Sequence, residues 1–247
     1  MFELDAPRGL GDAIYLRALV LHLTGRGEGV TVFTRWPDVF ADLPVTVKAA
    51  RTGNEDIRHC SYCLHCRLPE VAPDTMFRMA CRQAGVFEEV PLRAGWAVRN
   101  QALTQAIRQR AGGRQRLVYQ PPKVANGPEQ ELLQPRREAF RRYVASRTDC
   151  YRIKVGTVAL VGDCADMPAE LDLIGKTTIA DALDVGFMAD VIFGEPCYLV
   201  TWAQALDTPA VCMFSRRAAD ARQARVRQLT PARYLHKPEL GTVIYDE

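Results

Sequence analysis

The 247-residue sequence has 48% hydrophobic residues, 25% charged residues and a formal net charge of +3, all ordinary values for a globular protein. No apolar run reaches the ~18 residues of a membrane-spanning helix, and the first residues lack the pattern of a secretory signal. We therefore expect a cytoplasmic protein with reduced cysteines, and the small net charge does not demand a nucleic-acid partner.

The N-terminal half alternates helix and strand signals. Gly9 to Asp12 is a glycine-containing loop, and the apolar residues 13–23 predict a helix that Asp12 can cap. Residues 30–35 (VTVFTR) predict a buried strand, and residues 45–48 predict a shorter one. Two further helices are predicted at residues 76–85 and 101–109.

The C-terminal half repeats this alternation more regularly. Its predicted strands are residues 117–122, 157–162, 189–194 and 209–214, and its predicted helices are residues 135–146, 177–188 and 198–206. The tail from residue 242 predicts an edge strand or a segment that packs back on the first half. Strands joined by helices with short connections predict a doubly wound α/β fold. With a candidate hinge at residues 111–113, we expect two Rossmann-like domains, residues 1–112 and 113–247, that face each other across a cleft.

Two loops are candidates for chemistry, because ligands of parallel sheets bind beyond the carboxyl ends of the strands. In the first, Gly9 and Gly11 let the backbone approach a ligand closely, and Asp12 can act as a general base. Alternatively, Asp12 only caps the helix that follows. In the second, residues 194–206, a proline opens a helix whose free N–H groups suit a phosphate. An ordinary strand-to-helix turn has the same pattern, so both interpretations stay open.

Three segments resemble glycosyltransferase family nine, the ADP-heptose:lipopolysaccharide heptosyltransferases and their relatives. ADVIFGEPCYLVTWAQALDTPAVCMF (residues 189–214) is similar to the nucleotide-sugar-binding segment of that family, and LIGKTTIADALDVGFM (residues 173–188) to the helix before it. GLGDAIYLRALVLHL (residues 9–23) resembles the family's first loop and helix. VYQPPKV (residues 118–124) lies where the family enters its C-terminal domain.

The resemblance implies a GT-B fold and an inverting, metal-independent sugar transfer, with the acceptor on the N-terminal domain and a nucleoside diphosphate sugar on the C-terminal one. No cofactor besides this co-substrate is implied. Asp12 becomes the candidate base, with Gly9 and Gly11 beside the acceptor. The candidate donor-binding residues are Lys123, Asp163, Asp166, Thr178, Glu195, Cys197 and Tyr198.

The sequence also departs from the family in the second loop. Pro196-Cys197-Tyr198 stands where the family usually has Asp-x-Gly, and Thr201 stands in the place of a histidine. A GT-B-like nucleotide-binding protein that has lost transfer activity is therefore an alternative.

The remaining patterns concern metals and polyanions. Cysteines at positions 60, 63, 66 and 81 have a spacing open to zinc or to free thiols. Arginine clusters at residues 136–147 and 216–227 are solvated helix faces or a track for a polyanionic acceptor. The acceptor is accordingly a glycan or, for a phage-type enzyme, a hydroxylated base in DNA. A zinc-stabilised nucleic-acid-binding protein is a further alternative.

Overall fold

The computed structural model describes residues 1–6, 9–50, 75–122, 130–162, 164–215 and 231–246. The described strands form two separate parallel sheets. The N-terminal sheet has the order β1-β2-β3 and contains β1 (Phe2–Ala6), β2 (Val30–Thr34) and β3 (Thr46–Ala49). Sequence analysis did not predict β1, since FELDA has no apolar run and two of its five residues are acidic.

The C-terminal sheet has six strands in the order β6-β5-β4-β7-β8-β9. The chain enters at β4, moves outward through β5 to β6, and returns to β7 on the other side of β4. This is a doubly wound order whose direction reverses between β4 and β7. The strands are β4 (Gln115–Tyr119), β5 (Cys150–Lys154), β6 (Leu171–Asp172), β7 (Val191–Gly194), β8 (Ala210–Ser215) and β9 (Gly241–Asp246).

Helices connect these strands, and most of them lie where the sequence predicted them. They are α1 (Leu10–Gly25), α2 (Met76–Gln83), α3 (Gln101–Ala111), α4 (Gln130–Ser146), α5 (Val158–Val161), α6 (Ile179–Phe187), α7 (Tyr198–Ala205) and α8 (Pro231–Tyr234). Among the described helices, none combines the length and the apolar composition that a membrane crossing requires.

One predicted strand is wrong. Residues 157–162 form the short helix α5 and not a strand, while the strand of this region is β5, which was not predicted. Gly156, at φ +143°, separates the two elements. Val158 is 60% exposed while Val161 is fully buried, so this apolar run is not the continuously buried strand that its composition predicted. The tail is confirmed as an edge strand, β9, beside β8.

The core joins the two halves. Helix α1 of the first half packs along α7 of the second, and one cluster of buried residues includes Leu4 and Ile14 together with Leu199 and Trp202. A second cluster lies between the C-terminal sheet and α4, where the rings of Phe140 and Phe193 stack with their centroids 4.0 Å apart. The expected architecture of two Rossmann-like halves is confirmed, and the exact boundary at residues 112 and 113 stays a prediction.

A polar cluster also holds the two halves together; we call it the latch, and it comprises Arg17, Asp42, Trp96, Arg99 and Asp184. Fully buried Arg17 of α1 donates to the carbonyls of Ala94 and Gly95 and forms a two-pronged ion pair with Asp42, at 2.8 and 2.7 Å. These carbonyls belong to the irregular segment between α2 and α3, so Arg17 fixes this segment to α1.

The same segment is tied to α6 through a buried carboxylate. Asp184, fully buried, accepts hydrogen bonds from Trp96 Nε1 at 2.7 Å and from the backbone N–H groups of Arg99 and Asn100 at 3.0 and 2.7 Å. The guanidinium groups of Arg17 and Arg99 lie 5.0 and 4.1 Å from the Trp96 ring, within the range of cation–π attraction.

Candidate functional site

A cavity of about 480 Å³ opens at the carboxyl ends of the C-terminal strands and is closed on its other side by the first loop and α1. The cavity lies just beyond the carboxyl ends of β4 and β7, the two strands between which the sheet order reverses. Open α/β sheets bind their ligands in the crevice at this position. Both loops predicted from the sequence therefore border one cavity. Its lining residues are Gly9, Leu10, Gly11, Asp12, Trp36, Met76, Gln120, Gly156, Thr157, Thr177, Thr178, Ile179, Ala182, Pro196, Cys197, Tyr198, Thr201 and Tyr234.

Helices α6 and α7 both begin at this cavity, and their first turns differ in capping. The Thr178 hydroxyl accepts from the Asp181 N–H at 3.1 Å while the Asp181 carboxylate accepts from the Thr178 N–H, which closes the start of α6. At the start of α7, Cys197 is the N-cap residue and makes no side-chain capping bond. The N–H groups at this uncapped start of α7 suit an anion.

Asp12 lies in the first turn of α1 and borders the cavity. Its Oδ2 accepts a hydrogen bond from the Gly9 N–H at 3.0 Å, so the carboxylate does take part in capping, as one of the two interpretations expected. A carboxylate accepts several hydrogen bonds, and this one is compatible with a second role toward a hydroxyl in the cavity.

Gly11 lies where the two halves meet. A Cβ atom at this position would be 3.5 Å from Thr201 Oγ1 and 3.6 Å from Tyr198 Cα, which are ordinary van der Waals distances. The glycine that sequence analysis assigned to the acceptor therefore contacts the first turn of α7. The backbone of α1 can approach α7 this closely because Gly11 has no side chain.

A group of hydroxyls lies beneath the start of α7. The Tyr234 hydroxyl donates to the Cys197 carbonyl at 2.5 Å and lies 3.1 Å from Thr201 Oγ1. Burial raises the pKa of Tyr234, and it also raises the pKa of Tyr15 and of Tyr198. The three phenols are therefore protonated at neutral pH and serve as hydrogen-bonding groups rather than as bases.

Charged side chains are sparse in the part of the cavity lining that the structure describes. Among the described lining residues, Asp12 is the only one with a charged side chain. Backbone N–H groups and helix dipoles are therefore the electropositive groups that this part of the chain offers to a phosphate.

Two predicted donor-binding residues do not border the cavity. The Glu195 carboxylate pairs with Arg136 of α4 at 2.5 Å, and Asp166 pairs with Arg137 at 2.6 Å. The hydrogen bond from Arg137 holds the pKa of Asp166 below its ordinary value, so Asp166 is ionised in an ion pair outside the cavity lining. Arg136 and Arg137 of the first cluster thus form ion pairs within the protein.

Other predictions fall outside the described residues. These are the donor-binding roles of Lys123 and Asp163, the second arginine cluster, and the cysteines at positions 60, 63 and 66. Cys81 lies buried on α2. Within the described residues, no group of three or more His, Cys, Asp or Glu side chains is placed to hold a metal ion.

The structure adds lining residues that sequence analysis missed. Trp36 directly follows the predicted strand at residues 30–35, so inspection of the residue after each predicted strand would have found it. Gln120 lies within the predicted strand at residues 117–122, and Gly156 and Thr157 follow β5, which was not predicted, so the same rule would have missed these three. Tyr234 gave no local signal, because it lies 33 residues after Thr201 and reaches it only through the fold.

No protein-family model and no curated protein matches the sequence. Solved structures match the fold. The family nine glycosyltransferase of Veillonella parvula has a TM-score of 0.59 at 10% identity, over 99% of this chain and 86% of that one. ADP-heptose lipopolysaccharide heptosyltransferase II of E. coli has a TM-score of 0.58 at 13% identity, over 100% and 93%. E. coli heptosyltransferase WaaC with ADP has a TM-score of 0.51 at 11% identity, over 98% and 90%.

At such low identities this likeness concerns the fold. It agrees with the resemblance in the loops at residues 9–12 and 194–206, which the structure brings to one cavity. The chain therefore has the GT-B architecture of the family nine glycosyltransferases, two Rossmann-like halves facing across a cleft.

Proposed function

We propose that the chain is a glycosyltransferase that moves a sugar from a nucleoside diphosphate donor to a hydroxyl acceptor. The observation that carries this proposal is that the uncapped start of α7 and the Asp12 carboxylate border the same cavity. An anion-binding helix start and a candidate base that border one space are what such a transfer needs.

In the proposed reaction, the donor diphosphate lies at the start of α7, against Cys197 and Tyr198. Asp12 accepts the proton of the acceptor hydroxyl, and the hydroxyl oxygen attacks the anomeric carbon of the sugar. The bond from that carbon to the diphosphate breaks on the opposite face, so the configuration inverts. The N–H groups of α7 stabilise the charge that develops on the leaving diphosphate, and Lys123 supplies a cation to it.

The polarity of the site supports this division of roles. Asp12 is the only charged side chain among the described lining residues, and a second carboxylate beside a diphosphate would repel it. The pairing of Glu195 with Arg136 and of Asp166 with Arg137 keeps two further carboxylates away from the donor. The resemblance to heptosyltransferases favours a heptose or hexose as the transferred sugar and a glycan as the acceptor.

The test is a thermal-shift screen of the chain against ADP-, UDP- and GDP-sugars, including ADP-heptose. A cognate donor at about 100 times its Kd should add about 2.7 kcal/mol to the free energy of unfolding. The donor found in this way is then incubated with glycan and hydroxylated-DNA acceptors, and transfer is followed by mass spectrometry. A screen in which no nucleotide-sugar raises the melting temperature would contradict the proposal.

A second candidate is a nucleotide-sugar-binding protein without transfer activity. The hydrogen bond that ties Asp12 to Gly9 favours it, since one carboxylate oxygen already serves the helix start. The two candidates give different results with the donor. A transferase releases nucleoside diphosphate in the presence of acceptor, whereas the binding protein is stabilised by the donor and leaves it intact.

A further inference from the structure

Gln120 is a buried polar residue of the C-terminal half that borders the cavity. It follows β4, and its backbone N–H donates to the Phe193 carbonyl of β7 at 3.3 Å. This fixes it at the point where the sheet order reverses. The residue is 2% exposed and borders the cavity beside Gly156, where a Cβ atom would be 3.7 Å from Gln120 Cγ.

The amide oxygen of Gln120 is not satisfied by the protein. Gln120 Oε1 is buried and has no hydrogen-bond partner among the described residues. A buried carbonyl oxygen without a donor is destabilising, and native proteins rarely keep one without a reason. An apolar side chain of the same length would fill the same volume without this cost. The amide is therefore better explained by a ligand than by the fold.

Gln204 provides the contrast within the same chain. It is 1% exposed, and its Oε1 accepts from the backbone N–H groups of His236 and Lys237 at 2.5 and 3.3 Å. Its Nε2 donates to the Val200 and Tyr234 carbonyls. This second buried glutamine has the partners that a structural amide requires.

The unsatisfied amide oxygen of Gln120 determines what kind of group can be its partner. An amide oxygen accepts hydrogen bonds, so its partner must carry a proton, and the ionised oxygens of a diphosphate have none to give. The groups on either side of a diphosphate at the start of α7 are the ribose and the transferred sugar, and both present hydroxyls. The terminal torsion of Gln120 is soft, so the amide oxygen can rotate toward such a hydroxyl when a ligand is bound.

We propose that Gln120 is a specificity-determining residue that accepts a hydrogen bond from a hydroxyl group of the bound nucleotide-sugar. The inference rests on the proposed function, because it takes the start of α7 as the diphosphate site. It assigns to Gln120 the recognition of a neutral sugar or ribose hydroxyl, and it leaves the charge of the donor to α7.

The experiment compares Gln120→Met with the matched control Gln204→Met. Methionine keeps the approximate length of the side chain and removes the amide. Binding of ADP, UDP and GDP, alone and as their sugar conjugates, is measured by isothermal titration calorimetry, and stability is measured by thermal unfolding. We expect Gln120→Met to melt at or above the parent temperature and to bind the cognate nucleotide-sugar about tenfold more weakly. Gln204→Met should melt several degrees lower.

The free nucleotide separates the two sources of the hydroxyl. A loss of affinity confined to the nucleotide-sugar assigns the hydroxyl to the transferred sugar, and an equal loss for the nucleoside diphosphate assigns it to the ribose. If Gln120→Met binds the nucleotide-sugar and the nucleoside diphosphate as tightly as the parent, or melts as low as Gln204→Met, the role proposed for Gln120 is wrong. The proposed function of the chain is not affected by that result. If the parent chain binds none of these ligands, the proposed function is wrong and this inference falls with it.

Discussion

The latch and the cavity both contain residues of helices α1 and α6, but their polar groups differ in how fully they are hydrogen-bonded. Helix α1 contributes Arg17 to the latch and Asp12 to the cavity lining. Helix α6 contributes Asp184 to the latch, and its N-cap residue Thr178 lines the cavity. In the latch, the Asp184 carboxylate and the Arg17 guanidinium are saturated by partners within the chain. At the cavity, the start of α7 has no side-chain cap and Gln120 Oε1 has no partner among the described residues.

This difference separates residues that hold the fold from residues that are available to a ligand. A saturated buried network rigidifies the structure, and removal of one member exposes the others to an unmet desolvation cost. An unsaturated group destabilises the free protein and gains its partner only when a ligand arrives. Substitutions in the latch should therefore change stability, and substitutions at the cavity should change binding or rate.

The largest effect is expected for Asp12→Asn at the cavity. The amide retains the shape of the side chain and an oxygen that can accept from the Gly9 N–H, so folding and donor affinity should stay near those of the parent. The loss of a positioned base should lower the transfer rate by roughly 10²–10⁴-fold. Steady-state kinetics and donor titration test this together. A variant that transfers at the parent rate would leave Asp12 as a helix cap only.

In the latch, Arg17→Met should lower the free energy of unfolding by about 3 kcal/mol or more, because it leaves several buried carbonyls without their donor and leaves the Asp42 carboxylate paired with Arg99 only among the described residues. Arg26→Met, which removes an exposed arginine from the end of the same helix, should change stability by less than about 0.5 kcal/mol. Urea unfolding compares the two. Equal losses would show that the latch contributes no more than a surface ion pair.

A smaller, pH-dependent effect follows from Asp42. Burial alone would raise the pKa of this carboxyl, but the hydrogen bonds and charge of Arg17, together with Arg99, hold it below its ordinary value. The contribution of Asp42 is therefore fully present above its unfolded pKa of about 3.9 and is lost as the pH falls through the lower folded value. Asp42→Asn should cost about 1–2 kcal/mol at pH 7. The difference from the parent should shrink below about pH 4, and a difference that persists unchanged at pH 3 would contradict this.

Sequence alone predicted the elements that bury regular apolar runs. Helix α1, strands β2, β7 and β8, and helix α7 were predicted with small errors at their ends, because each is nearly continuous in apolar residues. The strand β5 was missed because CYRIK contains Arg152 and Lys154 and has no continuous apolar run, although the fold buries nearly all of it. Tertiary packing decided that segment, and local pattern did not.

The sequence predicted the loops of the candidate site, but it did not predict the contacts that join residues far apart in the chain. Gly9, Gly11, Asp12, Cys197 and Tyr198 all border the cavity, since glycine turns and helix starts are visible as local signals. The pairing of Glu195 with Arg136 joins residues far apart in the sequence, and no local pattern distinguishes a paired carboxylate from an available one. For the same reason, the unsatisfied oxygen of Gln120 could be recognised only in the folded chain.

Gly11→Ala is expected to give the smallest effect, and it tests whether Gly11 matters for ligand binding or for the stability of the fold. The added methyl would meet Thr201 Oγ1 at 3.5 Å and Tyr198 N at 3.9 Å, so it fits without a clash. Alanine is favoured over glycine within a helix by up to about 1 kcal/mol, so the variant should be as stable as the parent or slightly more stable. The methyl nevertheless lies against the first N–H of α7, where the diphosphate is proposed to bind. We expect donor affinity to fall about threefold to tenfold, an energy comparable to one hydrogen bond.

The control lies at the other end of the same helix. A Cβ atom at Gly25 would meet nothing within 4 Å, so Gly25→Ala should show the helix-propensity effect without any change in binding. Calorimetric titration with the cognate nucleotide-sugar and thermal unfolding are measured on both variants. If Gly11→Ala binds the donor as the parent does, the diphosphate does not approach Tyr198 N, and the assignment of α7 as its binding site is wrong. If Gly11→Ala instead melts well below Gly25→Ala, the contact between α1 and α7 is part of the structural core and Gly11 belongs with the latch.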